Sequence, residues 1–146
     1  MTRSHRTFEN PPALPHEVVT AAVERGLSDT AHELSAAVAL VGTALNDDDR
    51  AFIERCCMEV GARAATGSQL LGLAGLCLGH TARRFGHLSE RAVALAEALA
   101  ARAELDPLDV DGRALDGLDD IRSYLRAAAK PRSSRSGDVR SGNDFA

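Results

Sequence analysis

Aromatic side chains are scarce in this chain of 146 residues: tryptophan is absent, and aromatic residues make up 3% of the sequence. This scarcity argues against a β-sheet protein, because strands are enriched in aromatic and β-branched residues. The apolar residues that are present are mainly Ala, Leu and Val, and the first two are strong helix formers. The composition therefore predicts an all-α protein, and the length is that of one domain.

Long apolar runs are missing as well. The longest uncharged run, residues 64–79, has 16 residues, whereas a helix that spans a bilayer needs about 20. The three cysteines are odd in number, and the first residues lack the apolar segment of a secretory signal. We therefore expect a soluble cytoplasmic protein with reduced thiols and no membrane partner.

Recognisable catalytic and metal-binding signatures are also absent from the sequence. No nucleophile-elbow phrase occurs, and Gly72, Gly75 and Gly79 lie inside a helical pattern rather than in a phosphate-binding loop. Cys77 and His80 are one helical turn apart and could share a metal ion, but a structural zinc site takes four ligands and no further pair completes the set. We expect no enzymatic activity, no cofactor and no metal site.

The order of polar and apolar segments predicts three parts. Residues 1–15 contain three prolines and no helical period, which predicts a flexible N-terminal arm. Residues 16–129 form a single helical domain of about six antiparallel helices. Residues 130–146 are rich in Ser, Gly and charge, which predicts a disordered C-terminal tail.

One helix, predicted over 68–85, is apolar on nearly every side, so the other helices should surround it. Ser68 is suited to cap its start, and Gly86 to end it in the left-handed conformation. The three glycines of this helix fall on one face, which predicts that a neighbouring helix comes unusually close.

The second helix carries a stripe of larger apolar residues at helical spacing, and we expect this stripe to face the core. The stripe consists of Leu34, Val38, Val41 and Leu45. The acidic residues at 47–49 follow this helix, and we expect one of them to cap the third helix rather than to bind a cation.

The predicted domain is acidic. Residues 16–129 contain eleven Arg against eighteen Asp and Glu, a formal excess of seven negative charges. Such a surface opposes contact with phosphate groups, which argues against nucleic acid as a partner and favours a basic protein.

Two segments of this helical pattern resemble signature phrases of a group of small bacterial HEAT-like helical-repeat proteins. The segments are CLGHTARRFGHLS at 77–89 and DVDGRALDGLDDIRSYL at 109–125. The first segment agrees with that group at Leu78, Gly79, His80, Ala82 and Arg83. It departs at Thr81, where an apolar residue is usual, and the second segment has Gly117 in place of an alanine.

The resemblance implies a short α-solenoid, although an irregular bundle fits the periodicity equally well. Some HEAT-like proteins act as immunity proteins that neutralise a toxin. The acidic domain, the missing catalytic signature and this resemblance together favour a non-enzymatic binding protein, plausible as an immunity protein. Its acidic surface would occlude the basic active-site cleft of a toxin, with nuclease toxins as one candidate. An adaptor subunit for a housekeeping partner is the alternative, and a helical-repeat enzyme such as a DNA glycosylase is a third reading that lacks the expected basic groove.

The candidate partner-binding residues lie at the end of the fourth helix and on the sixth. They are His80, Arg83, Arg84, Arg113, Asp116, Asp119 and Asp120. Two interpretations stay open for this set: an Arg–Asp ladder that holds neighbouring helices together, or a partner-binding surface on the concave side of a solenoid.

Overall fold

The computed structural model of the protein describes residues 13–138, with side chains described for residues 13–125. The helices are α1 (His16–Ser28), α2 (Glu33–Asn46), α3 (Arg50–Arg63), α4 (Gln69–Phe85), α5 (Glu90–Leu105) and α6 (Arg113–Asp138), and a short 3-10 helix, Thr30–His32, precedes α2. Residues 13–138 contain no strand. The all-α class and the six helices are confirmed.

Local sequence signals end and begin the helices as predicted. The Ser68 side chain accepts a hydrogen bond from the Leu70 amide at the start of α4, and the Asp49 carboxylate accepts one from the Phe52 amide at the start of α3. Gly86 ends α4 with φ of 67°, a left-handed conformation that glycine adopts without a steric penalty. These signals explain why the connections between helices fall where they do.

The helix α4 is the centre of the fold. Eleven of its 17 residues are buried, and within the described chain it contacts α2, α3, α5 and α6, whereas α1 packs on α2 and α3. The prediction that the other helices surround this segment is confirmed. The arrangement is compatible with both a bundle and a short solenoid.

A line of glycines brings α4 and α6 into backbone contact. A Cβ atom added at Gly75 would lie 3.0 Å from the Ala114 Cα, and one added at Gly79 would lie 2.9 Å from the Gly117 Cα. From the other side, a Cβ atom on Gly117 would lie 2.1 Å from the carbonyl oxygen of Gly75. The predicted close approach is confirmed, and the helix that approaches is α6.

The predicted inward stripe of α2 is wrong for two of its four residues, whereas Val41 does pack against the core. Leu34 is 70% exposed and Val38 is 50% exposed, while Val41 and Leu45 are half-buried. The buried face of α2 consists of smaller residues together with Leu40. A small-residue face permits closer packing: a Cβ atom on Gly26 of α1 would lie 2.3 Å from the Ala36 Cβ. Close helix contact therefore turns the larger side chains outward.

The predicted boundaries at 15 and 130 fall near the limits of the described chain. Residues 1–12 and 139–146 lie outside it, so the predicted arm and tail are described only in part. The helix α6 continues to Asp138, past the predicted domain end at 129. Extension of an existing helix adds about one hydrogen bond per residue, which costs far less than starting a new helix.

Candidate functional site

The predicted partner-binding residues do not form one cluster, and two of the arginines are used within the fold. The Arg113 guanidinium donates through Nε to Asp111 Oδ1 at 3.0 Å and through Nη2 to the Gln69 carbonyl at 3.1 Å. These bonds tie the start of α6 to the start of α4. Arg113 therefore holds the α4–α6 pair together.

Arg84 has a similar structural role at the other end of α4. Its Nη1 atom donates to the carbonyl oxygens of Ala44 and Asp47, each at 2.8 Å. The last carbonyl groups of a helix have no partner within the helix, so a cation placed there satisfies them and opposes the helix dipole. Arg84 is thus a cap for α2.

Arg83 belongs to a half-exposed contact between α4 and α6. Its Nη2 atom lies 3.5 Å from Asp120 Oδ2, and its guanidinium carbon lies 5.5 Å from the centroid of the Tyr124 ring. This pair matches the ladder interpretation. An exposed ion pair at this distance adds little stability, so the contact is free to exchange its partners.

His80 sits beside this contact with an unusual environment. Its Nδ1 atom is buried and has no hydrogen-bond partner among the described residues. Burial is the main reason that the pKa of His80 is lowered, and the neighbouring Arg83 lowers the pKa further, whereas Asp120 opposes the shift. The imidazole therefore favours its neutral form.

Asp116 and Asp119 are the members of the set that remain available. Both are exposed, and neither has a hydrogen bond or an ion pair with any described residue. They differ in their surroundings, because Asp119 lines a groove between α5 and α6 and Asp116 does not. The structure thus separates Asp119 from the arginines with which the sequence grouped it.

The groove between α5 and α6 has a volume of about 490 Å³. Three carboxylates line it: Glu97 and Glu104 from α5, and Asp119 from α6. None of the three is paired within the described chain, and Arg122 is the cation that also lines the groove. The groove therefore carries an excess of negative charge.

Apolar side chains complete the groove between these carboxylates. Ala100, Leu115 and Leu118 line it, and Leu118 and Ala100 belong to the core. Leu105, the last residue of α5, and Leu108 beyond it are 86% and 83% exposed, but neither lines the groove. An acidic rim around an apolar strip suits a partner that is itself both basic and apolar.

Sequence reasoning missed Glu97 and Glu104 as candidate residues. Their spacing places them on one face of α5 with Ala100 and Ala101 nearby, which reads as an ordinary solvated helix face. The missing information is the packing of α5 against α6, which brings Asp119 opposite them. The one sequence signal for this arrangement is the short connection between α5 and α6, which predicts that the two helices are antiparallel neighbours.

The described residues offer little for metal or nucleophilic chemistry. No group of three or more His, Cys, Asp or Glu side chains within residues 13–125 is arranged to hold a metal ion. The three cysteines are unpaired and buried. Burial raises the pKa of Cys56 to about 11, so this thiol stays protonated although it lines a cavity of about 310 Å³ between α1 and α3.

Comparison with known proteins gives no match: no family model matches the chain, and neither a curated protein nor a solved structure matches it significantly. None of the helices in the described part is long and apolar enough to cross a membrane. Fold and groove together define a small all-helical protein with an acidic, partly apolar groove.

Proposed function

We propose that the protein is a non-enzymatic binding protein whose α5–α6 groove takes a basic segment of a protein partner. The observation that carries this proposal is a set of three groove carboxylates, Glu97, Glu104 and Asp119, that have no partner among the described side chains and lie around an apolar strip. Carboxylates that are already paired would have to give up a partner on binding, whereas these three would only gain one.

Two physical effects support a basic amphipathic partner. The negative charge of the groove attracts cations during the encounter and raises the association rate. Burial of the apolar groove residues, of which Leu115 is the half-exposed one, then supplies the apolar contact that holds the complex. A partner with Arg or Lys flanking a row of apolar residues would provide both the charge attraction and the apolar contact.

The particular role that we propose is toxin neutralisation. Support comes from the resemblance of segments 77–89 and 109–125 to HEAT-like proteins, some of which are immunity proteins, and from the acidic groove, which complements the basic cleft of a nuclease. The mechanism is occlusion of that cleft. An adaptor role would use the same groove for a housekeeping partner.

A pair of matched double variants tests the groove. Glu97→Gln with Asp119→Asn removes one groove carboxylate from each helix, and Glu90→Gln with Asp116→Asn removes one exposed carboxylate from each of the same helices outside the groove. The probe is a synthetic helical peptide with Arg on one face and Leu on the other. We expect the groove variant to bind it about five- to tenfold more weakly, since exposed ion pairs contribute about 0.2–1 kcal/mol each.

Equal affinity of the two variants would contradict the groove as the binding site. The proposed role in toxin neutralisation has a separate test, which is growth of cells that express a toxin gene adjacent to this gene. We expect growth only when this protein is present and its groove is intact. Normal growth without the protein would refute the immunity role and leave the groove proposal standing.

A further inference from the structure

The outward face of α2 has the spacing of a coiled-coil seam. Leu34, Val38, Val41 and Leu45 are spaced by four, three and four positions, which is the alternating a and d pattern of a heptad repeat over 12 residues. In a monomer Leu34 and Val38 of this seam are at least half exposed, while Val41 and Leu45 are half-buried, Val41 against the core. A second helix with the same spacing is the partner that such a seam accommodates best.

The same face carries no charge. No charged residue occurs from Leu34 to Asn46. Each of the other helices among α1–α5, whose side chains are all described, has a charged residue beyond its first position, and α2 has none. The two acids that flank this uncharged stretch bond to their own chain: Glu33 accepts a hydrogen bond from the Ser68 hydroxyl, and Asp47 bonds to His16 Nε2 at 2.9 Å. Asp48, the next residue, is fully exposed.

We propose that a second copy of this chain pairs with α2 in an antiparallel orientation. The chain has a formal net charge of −4, so two copies repel one another over most of their surfaces, and an uncharged face is where they can meet without that penalty. A two-fold axis through the middle of the seam sets Leu34 opposite Leu45 and Val38 opposite Val41 of the partner. Antiparallel pairing also opposes the helix dipoles.

Exposed apolar side chains also occur at the start of α1. The bond between His16 and Asp47 places the start of α1 beside the end of α2, and Leu14 and Val18 on either side of His16 are 37% and 44% exposed. The helix α2 alone spans only about 21 Å, and stable dimers bury about 800 Å² per partner. The dimer is therefore weak, with a dissociation constant on the order of 10–100 µM. This proposal is independent of the groove.

Sedimentation equilibrium of the full chain between about 5 µM and 500 µM tests the dimer. We expect the mass to rise from the monomer value of 15.4 kDa toward twice that value. Val38→Glu and Leu34→Glu should each weaken association at least tenfold, because they bury charge in the seam. Both side chains are at least half exposed in the monomer, so circular dichroism should show unchanged helix content.

The matched control is Ala94→Glu, which adds the same charge at an exposed position of α5 outside the groove. We expect this variant to associate nearly as the unmodified chain does. A mass of 15.4 kDa at every concentration would overturn the proposal. It would also be overturned if Ala94→Glu and Val38→Glu weakened association equally, because the effect would then reflect net charge and not the α2 face.

Discussion

The substitution Gly117→Ala tests whether backbone contact between α4 and α6 holds this fold together. The added Cβ atom would lie 2.1 Å from the Gly75 carbonyl oxygen and 2.5 Å from its carbonyl carbon. Both atoms are backbone, so no side chain can move aside to make room. An ordinary contact needs at least 3.4 Å, and the helices must separate by about 1 Å to restore it.

That separation has a cost that can be worked out from the buried face of α6. Ala114, Leu118 and Ile121 are nearly fully buried there. A gap of about 0.5–1 Å forfeits a quarter to a half of the dispersion attraction, which is about 1 kcal/mol for each large side chain, and overpacking generally costs about 1–3 kcal/mol. Replacing glycine by alanine inside a helix returns about 0.8–1 kcal/mol. We expect a net loss of about 2 kcal/mol.

Urea unfolding followed by circular dichroism measures this loss in the free energy of unfolding, and the melting temperature should fall by about 4–8 °C. Gly112→Ala is the matched control, because a Cβ atom there meets nothing within 4 Å; it should be neutral or slightly stabilising. If Gly117→Ala changed stability by less than about 0.5 kcal/mol, the backbone contact would not be the constraint that the structure indicates.

Three further predictions concern the remaining internal contacts. Arg84→Ala should lower the free energy of urea unfolding by about 1–3 kcal/mol, because two carbonyl groups lose a charged donor. Arg83→Ala should lower it by less than about 1 kcal/mol, because its ion pair is exposed. Equal losses would contradict these roles. Hydrogen bonds from Arg102 and Thr66 lower the pKa of Asp109 from 3.8 to about 2, so its contribution to stability is present above pH 3.8 and lost as the pH falls toward 2. The free energy of unfolding, measured against pH, should fall less steeply in acid for Asp109→Asn than for the unmodified chain. An unchanged pH dependence would contradict this role of Asp109. Burial raises the pKa of Cys77 to about 12, so a thiol reagent should label it only on unfolding, and rapid labelling of the folded protein would contradict this.

Local signals in the sequence predicted the helices and their central member well. A cap such as Ser68 or Gly86 acts through its own neighbouring backbone, so its effect does not depend on the rest of the fold. The glycine spacing of α4 also predicted a close helix contact, because only contact explains three glycines on one face. The identity of α6 as the partner required the structure.

The outward-facing stripe of α2 shows where hydrophobic periodicity misleads. A stripe of Leu and Val is usually the buried face of a helix, but a face of Ala and Gly packs more closely on neighbouring helices. Gly26 of α1 approaches Ala36 at a distance that a larger pair would not permit. Two faces of α2 are thus apolar, and the sequence alone does not say which one the core takes.

The charged set illustrates a second limit. Sequence identifies which side chains carry charge, but pairing depends on which helices become neighbours. Arg84 bonds to the end of α2 and Arg113 to Asp111, whereas Asp119 has no partner among residues 13–125. A residue whose charge is satisfied within the fold is a poor candidate for recognition, since binding would have to replace a bond that already exists. The unpaired residues are therefore more informative than the conspicuous ones.

The glycine contact and the groove belong to one arrangement. Because Gly75, Gly79 and Gly117 let α6 sit against the backbone of α4, the position of α6 is set by contacts between main chains, which cannot change rotamer. Asp119 is carried on that helix, and α5, which carries Glu97, packs on both α4 and α6. A partner then meets carboxylates that are already in place, and it loses less entropy on binding than it would against a mobile loop. The rigid centre of the fold is thereby what gives the acidic groove a definite shape to recognise.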